Sequence, residues 1–165
     1  MAAVESLVKV EEKPVNREKT CPLLLRVFCA MGHHNSLNEY FRGTVPGNEL
    51  QIYTWMDATL RELTGLIKEV NIESRVRGTT FDFVLVTPEY NSPRFNGFEI
   101  GTTVAGNRST DDTKTLGNTR FTIGDYLDVC ITPPDRFIRR PMRYQFEVLK
   151  RKKNKFQNAN VNREN

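Results

Sequence analysis

The segment from Glu49 to Val70 constrains the fold more than any other part of the chain, because its hydrophobic period changes part-way along it. From Leu50 onward the side chains alternate between two faces, with Tyr53 and Trp55 opposite Leu50, which is the period of a half-buried strand. From residue 60 the apolar side chains recur at the spacing of one helical face. They are Leu60, Leu63, Ile67 and Val70. The segment therefore predicts a strand that leads directly into an amphipathic helix.

Asp57 lies between this strand and this helix, at the position where an N-cap residue is expected. A carboxylate there can accept a hydrogen bond from a free backbone N–H of the first helical turn. Because a helix with one apolar face must bury that face, we expect the other strands to assemble beneath it.

Four further segments have the pattern of strands. They are residues 23–29, 79–86, 98–100 and 121–132. The first is apolar on both faces, which predicts a central strand with Arg26 near an edge or a partner. The last is interrupted at Gly124 and Asp125, where we expect a turn or a bulge.

Long polar loops separate several of these elements: residues 30–48, residues 101–118 and residues 90–97, which carry Tyr90 and Phe95. The predicted order is strand, long hairpin, strand, helix, strand, short strand and strand, with the last strand able to lie beside the first. This is the order of a ubiquitin-like β-grasp domain. The expected fold class is α+β, with a mixed sheet of about five strands covered by one main helix and with long loop insertions.

Charge divides the chain into two unequal parts. Residues 1–132 contain 14 Lys and Arg against 17 Asp and Glu, whereas residues 133–165 contain 10 against 3. The first 19 residues have too few apolar side chains to form a core. We therefore predict a disordered leader at 1–19, a folded domain at 20–134, and a basic, disordered tail at 135–165.

The sequence contains neither a run of about 20 apolar residues nor the apolar region of a secretory signal. We therefore expect no membrane partner and a location in the nucleus or cytosol. The three cysteines include no C-x-x-C pair, which predicts reduced thiols. His33, His34 and Cys29 are residue types that can bind zinc. Their spacing does not match that of a zinc finger, so the favoured interpretation is an exposed pair of loop histidines.

Two acidic pairs allow catalytic or metal-binding roles: Asp111 with Asp112, and Asp125 with Asp128. The first pair lies in a polar loop and the second flanks a predicted turn, so solvated or turn-capping roles are favoured. No serine or cysteine has an evident histidine partner. We predict no enzyme activity, no cofactor and no metal.

Several segments closely resemble, in matching order, the SIN-three-associated polypeptide of eighteen kilodaltons family. They are CPLLLRVF, ELQIYTWMDATLRELTGLIKEV, FDFVLV, TDDTKTL and FTIGDYLDVCITPPDR, and the resemblance spans Arg17 to about Arg136. It implies a noncatalytic ubiquitin-like adaptor that joins a histone deacetylase corepressor. It also implies a ternary complex with Acinus or Pinin and an SR-related RNA-binding protein, which acts in splicing with the exon junction complex. The expected location is nuclear, with some protein in the cytoplasm.

An adaptor needs exposed apolar anchors rather than a polar pocket. We predict Tyr53, Trp55, Tyr90 and Phe95 as partner-binding residues, with the alternative that the long loops cover them.

The stretch RRPMRY from Arg139 resembles the short Arg-rich end of the family, but the residues that follow it in the basic tail have no counterpart there and stay open to three interpretations. Its charged run allows nuclear import, nonspecific contact with nucleic acid, or simple solvation. The run comprises Lys150, Arg151, Lys152, Lys153 and Lys155. RNA contact is expected to be indirect or through this tail. The alternative function is therefore a nucleic-acid-binding protein that acts through its C-terminal tail.

Overall fold

The computed structural model describes residues 15–41 and 43–134. The predictions for residues 1–14 of the leader and for the tail at 135–165, including its basic run, lie outside the described residues.

The described residues form an α+β fold with five strands and one α-helix. In chain order these are β1 (Leu23–Met31), β2 (Glu49–Thr54), α1 (Leu60–Val70), β3 (Thr80–Pro88), β4 (Phe95–Val104) and β5 (Tyr126–Thr132). The strand order in the sheet is β2-β1-β5-β3-β4. β1 and β5 are parallel and the other neighbours are antiparallel, so the sheet is mixed, as predicted. Three 3-10 helices lie at Leu37–Glu39, Ile72–Arg75 and Thr110–Thr113.

The main core lies between α1 and one face of the sheet, called here the inner face. Its fully buried members include Leu25, Leu60, Leu63, Ile67, Phe81, Phe83, Leu85 and Leu127. Burial of one such side chain contributes about 1.5–3 kcal/mol, so this layer dominates the stability of the fold. The two-sided apolar pattern of β1 correctly predicted a strand with a neighbour on each side.

The predicted stripe correctly begins at Leu60, but the predicted N-cap and the last member of the stripe both need correction. The N-cap is Thr59, whose Oγ1 accepts a hydrogen bond from the backbone N–H of Glu62 at 3.1 Å. Asp57 is two residues too early and instead accepts hydrogen bonds from Arg17. At the other end Val70 is 60% exposed, because the helix ends there.

β4 is the largest departure from the predicted elements. It has ten residues instead of the expected 98–100, and it begins at Phe95, which the sequence had placed in a loop. Antiparallel pairing with β3 holds the strand from Phe95 opposite Pro88 to Val104 opposite Thr80. This pairing outweighs the weak strand propensity of the glycines within β4.

The sheet face opposite α1, called here the outer face, is partly covered by the connection between β1 and β2. Tyr40 from this connection is buried against Phe28 and Val86 in a second, smaller hydrophobic cluster. Part of the long loop predicted at 30–48 therefore forms a structural cover over the outer face.

Candidate functional site

The four predicted partner-binding residues differ in exposure. Tyr53 is 68% exposed and Tyr90 is 91% exposed. Tyr53 lies on β2, an edge strand, and is paired with Leu24, which is also exposed. Tyr90 lies in the turn that connects β3 with β4. Both tyrosines are thus available for contact with another molecule.

Trp55 follows β2 and is held by the segment that precedes β1. Its Nε1 donates to the carbonyl oxygen of Thr20 at 2.7 Å, and the guanidinium of Arg17 lies 5.2 Å from the ring centroid. Arg17 also donates to both carboxylate oxygens of Glu62, at 2.8 and 2.9 Å, and these bonds together with those to Asp57 raise its pKa. The indole is therefore half-buried, with its N–H already engaged.

Phe95 lies inside an aromatic cluster instead of in an exposed loop. It stacks on Tyr126 with 5.6 Å between ring centroids, and Tyr126 in turn stacks on Tyr40 at 5.9 Å. The guanidinium of Arg26 lies over two rings of the cluster, 5.0 Å from the centroid of Tyr126 and 5.8 Å from that of Phe28. Such pairs contribute about 0.5–1.5 kcal/mol each beyond their burial, so Phe95 has a structural role.

Arg26 is fixed by an ion pair across the β1–β2 boundary. Its Nε and Nη2 donate to the two carboxylate oxygens of Glu49 at 2.6 and 2.8 Å. These bonds lower the pKa of the Glu49 carboxyl to about 2 and raise the pKa of Arg26. The prediction that Arg26 lies near an edge or a partner is confirmed, since β2 is an edge strand.

Asp128 is a buried carboxylate, so the predicted solvated or turn-capping role is wrong for this residue. It is 1% exposed because the β1–β2 connection covers it. Oδ1 lies 2.7 Å from Nδ1 of His34, and Oδ2 accepts from Nδ2 of Asn35 at 2.6 Å and from the hydroxyl of Tyr40. Burial and the bond to Asp128 raise the pKa of Tyr40, and burial raises the pKa of Cys29 to about 12. A buried charge requires such partners, which makes this network structural.

Of the other predicted acids, Asp112 and Asp125 cap turns, as expected, whereas Asp111 bonds to β4. Asp111 accepts from the backbone N–H of Thr102, and its hydrogen bond with Lys114 lowers its pKa. Asp112 accepts from the N–H of Ser109 at 3.0 Å. Asp125 does the same for Thr122 at 2.8 Å, in the turn predicted before β5.

His33, His34 and Cys29, considered above as a possible metal site, do not form one in the described residues. Nδ1 of His33 lies 3.0 Å from the carbonyl oxygen of Met31, whereas His34 contacts Asp128. Across the described ranges, no three His, Cys, Asp or Glu side chains are placed to hold a metal ion. Within the same ranges, every helix is too short or too polar to cross a bilayer.

Comparison with known proteins decides the family. The family model described as Sin3 associated polypeptide p18 (SAP18) matches residues 14–131, which include Arg17 and nearly all of the sheet. The chain belongs to the SAP18 family. The resemblance seen in the sequence is thereby confirmed.

Three curated relatives show how far the similarity to the SAP18 family extends. The Drosophila melanogaster protein named histone deacetylase complex subunit SAP18 is 55% identical over 139 residues, covering 82% of this chain and 93% of that protein. The Homo sapiens protein of the same name is 55% identical over 133 residues, covering 80% and 87%. The Arabidopsis thaliana protein of that name is 51% identical over 122 residues, covering 72% and 80%. The residues matched by the SAP18 family model end before the basic tail.

Proposed function

We propose that this chain is a noncatalytic adaptor subunit of a nuclear histone deacetylase corepressor complex. The observation that carries the proposal is the 51–55% identity, over most of the chain, to SAP18 proteins named as histone deacetylase complex subunits. The structure adds support, because the acidic side chains weighed as catalytic are used within the fold for turn capping or for the buried Asp128 network.

We further propose that residues 20–134 are a ubiquitin-like β-grasp domain. Three features support this proposal: the strand order β2-β1-β5-β3-β4, the parallel pairing of β1 with β5, and one helix that follows the first hairpin. Such a domain offers partners a rigid sheet and two edge strands.

The proposed docking surface includes Tyr53 and Tyr90 as exposed anchors. Trp55 and Phe95 are half-buried and remain in the proposed surface as secondary contact residues. Trp55 bonds to Thr20, and Phe95 stacks on Tyr126. Exposed tyrosines make large contacts at little cost in conformational entropy, which suits them to binding short segments of larger proteins.

The proposed partners fall into two groups. One is the SIN-three histone deacetylase corepressor. The other, implied by the family resemblance, is an Acinus- or Pinin-like scaffold with an SR-related RNA-binding protein in splicing. The proposed location is nuclear with a cytoplasmic share, and import through Lys150 to Lys155 is part of the proposal.

An affinity purification from nuclear extract tests the adaptor function. The tagged full chain is expected to recover deacetylase-associated and splicing-associated proteins, and the Tyr53→Ala, Tyr90→Ala double variant is expected to lose one or both groups. The control is Val70→Ala with Ile72→Ala, which removes apolar surface that is 60% and 71% exposed near the end of α1. Recovery of neither group by the unaltered chain would refute the adaptor function, and equal recovery by both variants would refute the docking surface.

A further inference from the structure

The sequence contains three places where a serine or threonine is followed directly by proline. They are Thr87 before Pro88, Ser92 before Pro93, and Thr132 before Pro133. Proline-directed protein kinases recognise this pair of residues, because their pocket for the residue after the acceptor does not require a backbone N–H. Proline fits such a pocket, since it has no N–H to leave unpaired. The structure decides which of the three hydroxyl groups such a kinase reaches.

Thr87 and Thr132 both lie within paired strands. Thr87 is opposite Asn96 in the ladder of β3 and β4, and Thr132 is opposite Thr80 in the ladder of β3 and β5. A kinase binds its acceptor segment as an extended chain in its own cleft, so either segment would first have to leave the sheet. Opening a paired strand costs more free energy than opening a turn at the surface. The fold therefore protects both threonines.

Ser92 lies outside the sheet, in the turn between β3 and β4. Its neighbours at 90–91 and 93–94 are exposed, and Ser92 itself is half-exposed. Asn91 has a φ of 63°, in the left-handed region that asparagine tolerates in turns. The N–H of Glu89 donates to the carbonyl oxygen of Arg94 at 2.9 Å and closes the turn. A kinase can therefore draw out this segment at a smaller cost than either ladder requires.

The hydroxyl group of Ser92 is free to react. Its Oγ accepts a hydrogen bond from the backbone N–H of Arg94 at 3.2 Å, and its O–H donates to no group within residues 15–41 and 43–134. The guanidinium of Arg94 is exposed and forms no ion pair in the same ranges. Both the N–H and the guanidinium are thus available to a phosphate on this oxygen, and hydrogen bonds of this charge-assisted kind are strong.

We propose that Ser92 is phosphorylated by a proline-directed protein kinase, and that the phosphate weakens partner binding at Tyr90. In the reaction, Oγ forms a bond to the γ-phosphorus of MgATP, the bond between that phosphorus and the β–γ bridging oxygen breaks, and ADP leaves. The hydroxyl proton passes to the catalytic aspartate of the kinase and then to solvent. The product carries a charge of about −1.5 to −2 at neutral pH in place of a neutral hydroxyl.

The effect on Tyr90 rests on the proposed function, whereas the phosphorylation site does not. Ser92 and Tyr90 are two residues apart, which span at most about 7 Å. When a partner covers the exposed ring of Tyr90, a phosphate at this distance must lose part of its hydration. This loss opposes binding, as it does for a phosphate placed in an apolar interface.

A kinase assay on the full chain tests the site. The chain is incubated with radiolabelled MgATP and a cyclin-dependent kinase or, separately, a mitogen-activated protein kinase. Incorporated label gives the rate, and tandem mass spectrometry gives the position. The test variants are Ser92→Ala and Pro93→Ala. The matched control is Thr87→Val with Thr132→Val, which removes the two hydroxyl groups held in the ladders. Equal melting temperatures verify that all variants fold.

Ser92→Ala and Pro93→Ala are each expected to lower incorporation by about tenfold or more, because the remaining acceptors are accessible only after a strand opens. The control is expected to keep the original rate, with the phosphate on Ser92. The site would be overturned if neither kinase modified Ser92, or if Ser92→Ala were labelled as fast as the original chain.

Affinity purification from nuclear extract with phosphatase inhibitors tests the effect on Tyr90. The phosphorylated chain is expected to lose most of at least one partner group, whereas Ser92→Ala after the same kinase treatment should recover as much as the untreated chain. Equal recovery by the phosphorylated and untreated chains would refute the effect on Tyr90. Recovery of neither group by the untreated chain would refute the proposed function, while the position of the phosphate would still decide the site.

Discussion

At the residue scale, the hydroxyl of Tyr40 stabilises the fold by donating to a carboxylate that has no access to water. Asp128 is 1% exposed, and among the described residues the Tyr40→Phe substitution leaves its carboxylate with His34 and Asn35 as donors. We expect a loss of about 2 kcal/mol in the free energy of unfolding, since hydrogen bonds to charged buried groups are strong. Urea unfolding measures this loss.

Tyr126→Phe is the matched control for Tyr40→Phe. Its hydroxyl contacts Arg26 at 3.4 Å in a part-exposed position, so we expect a loss below about 0.5 kcal/mol. Equal losses for the two substitutions would contradict the role assigned to the Tyr40 hydroxyl.

Glu49 gives the stability of the chain a defined dependence on pH. Hydrogen bonds from Arg26 lower its folded pKa to about 2 from an ordinary value of 4.5. The folded state therefore binds this proton less readily than the unfolded state. The stabilisation is complete above about pH 5 and is lost as the pH falls from 4.5 towards 2. Because the pair is partly exposed, we expect about 1 kcal/mol in total.

Urea unfolding of the original chain and Glu49→Gln at several pH values isolates this contribution. The difference in unfolding free energy between the two chains should be constant near neutral pH and vanish towards pH 2. A difference that does not change with pH would exclude the ion pair as its source.

The sequence could not reveal the Asp128 network, because its members are far apart along the chain. Tyr40 and Asp128 are separated by 88 residues, and they meet only after the β1–β2 connection folds over the outer face. Two features of the sequence nevertheless indicated that Asp128 is buried beneath the loop. Asp128 alternates with Leu127 and Val129 in an apolar strand, and the loop at 30–48 carries apolar side chains that a fully solvated loop would not need.

At the scale of elements, the start of α1 is fixed by a hydroxyl. We expect Thr59→Ala to destabilise the chain by about 1 kcal/mol, because the N–H of Glu62 loses its acceptor. Thr59→Ser keeps the hydroxyl and should retain most of the stability. Thermal unfolding compares the two, and equal losses would argue against the cap.

Helix α1 shows which parts of the fold could be predicted from the local pattern of hydrophobic residues. The change of period between β2 and α1 predicted both elements, because each buries one face against the inner core. The exact N-cap was missed, since Asp57 and Thr59 are both good capping residues and the sequence does not show that Arg17 engages Asp57.

β4 could not be predicted in full for a different reason. Gly97 and Gly101 interrupt its apolar pattern, and its register shifts against β3 between Phe83 and Val84. The strand exists because β3 supplies hydrogen bonds along its whole length, and pairing between strands is not a local property. Phe95 was consequently assigned to a loop and treated as a free anchor.

At the scale of the whole molecule, Arg17 makes contacts with the folded unit from the N-terminal side of the boundary proposed at residue 20. Arg17 joins the N-terminal segment to α1 through Glu62 and covers one side of Trp55. A chain of residues 15–134 keeps these contacts, whereas a chain of residues 20–134 loses them. Since Trp55 is the single tryptophan, its fluorescence reports this contact directly.

We expect residues 20–134 to melt about 4 °C below residues 15–134, which corresponds to about 1 kcal/mol for a partly exposed ion pair in a domain of this size. The emission of Trp55 should shift to longer wavelength, because the indole gains water when Arg17 is absent. Arg17→Gln in the longer chain is the control and should reproduce most of both changes. Identical melting temperatures and emission spectra for the two chains would place the boundary at residue 20 after all, with Arg17 contributing nothing to the folded unit.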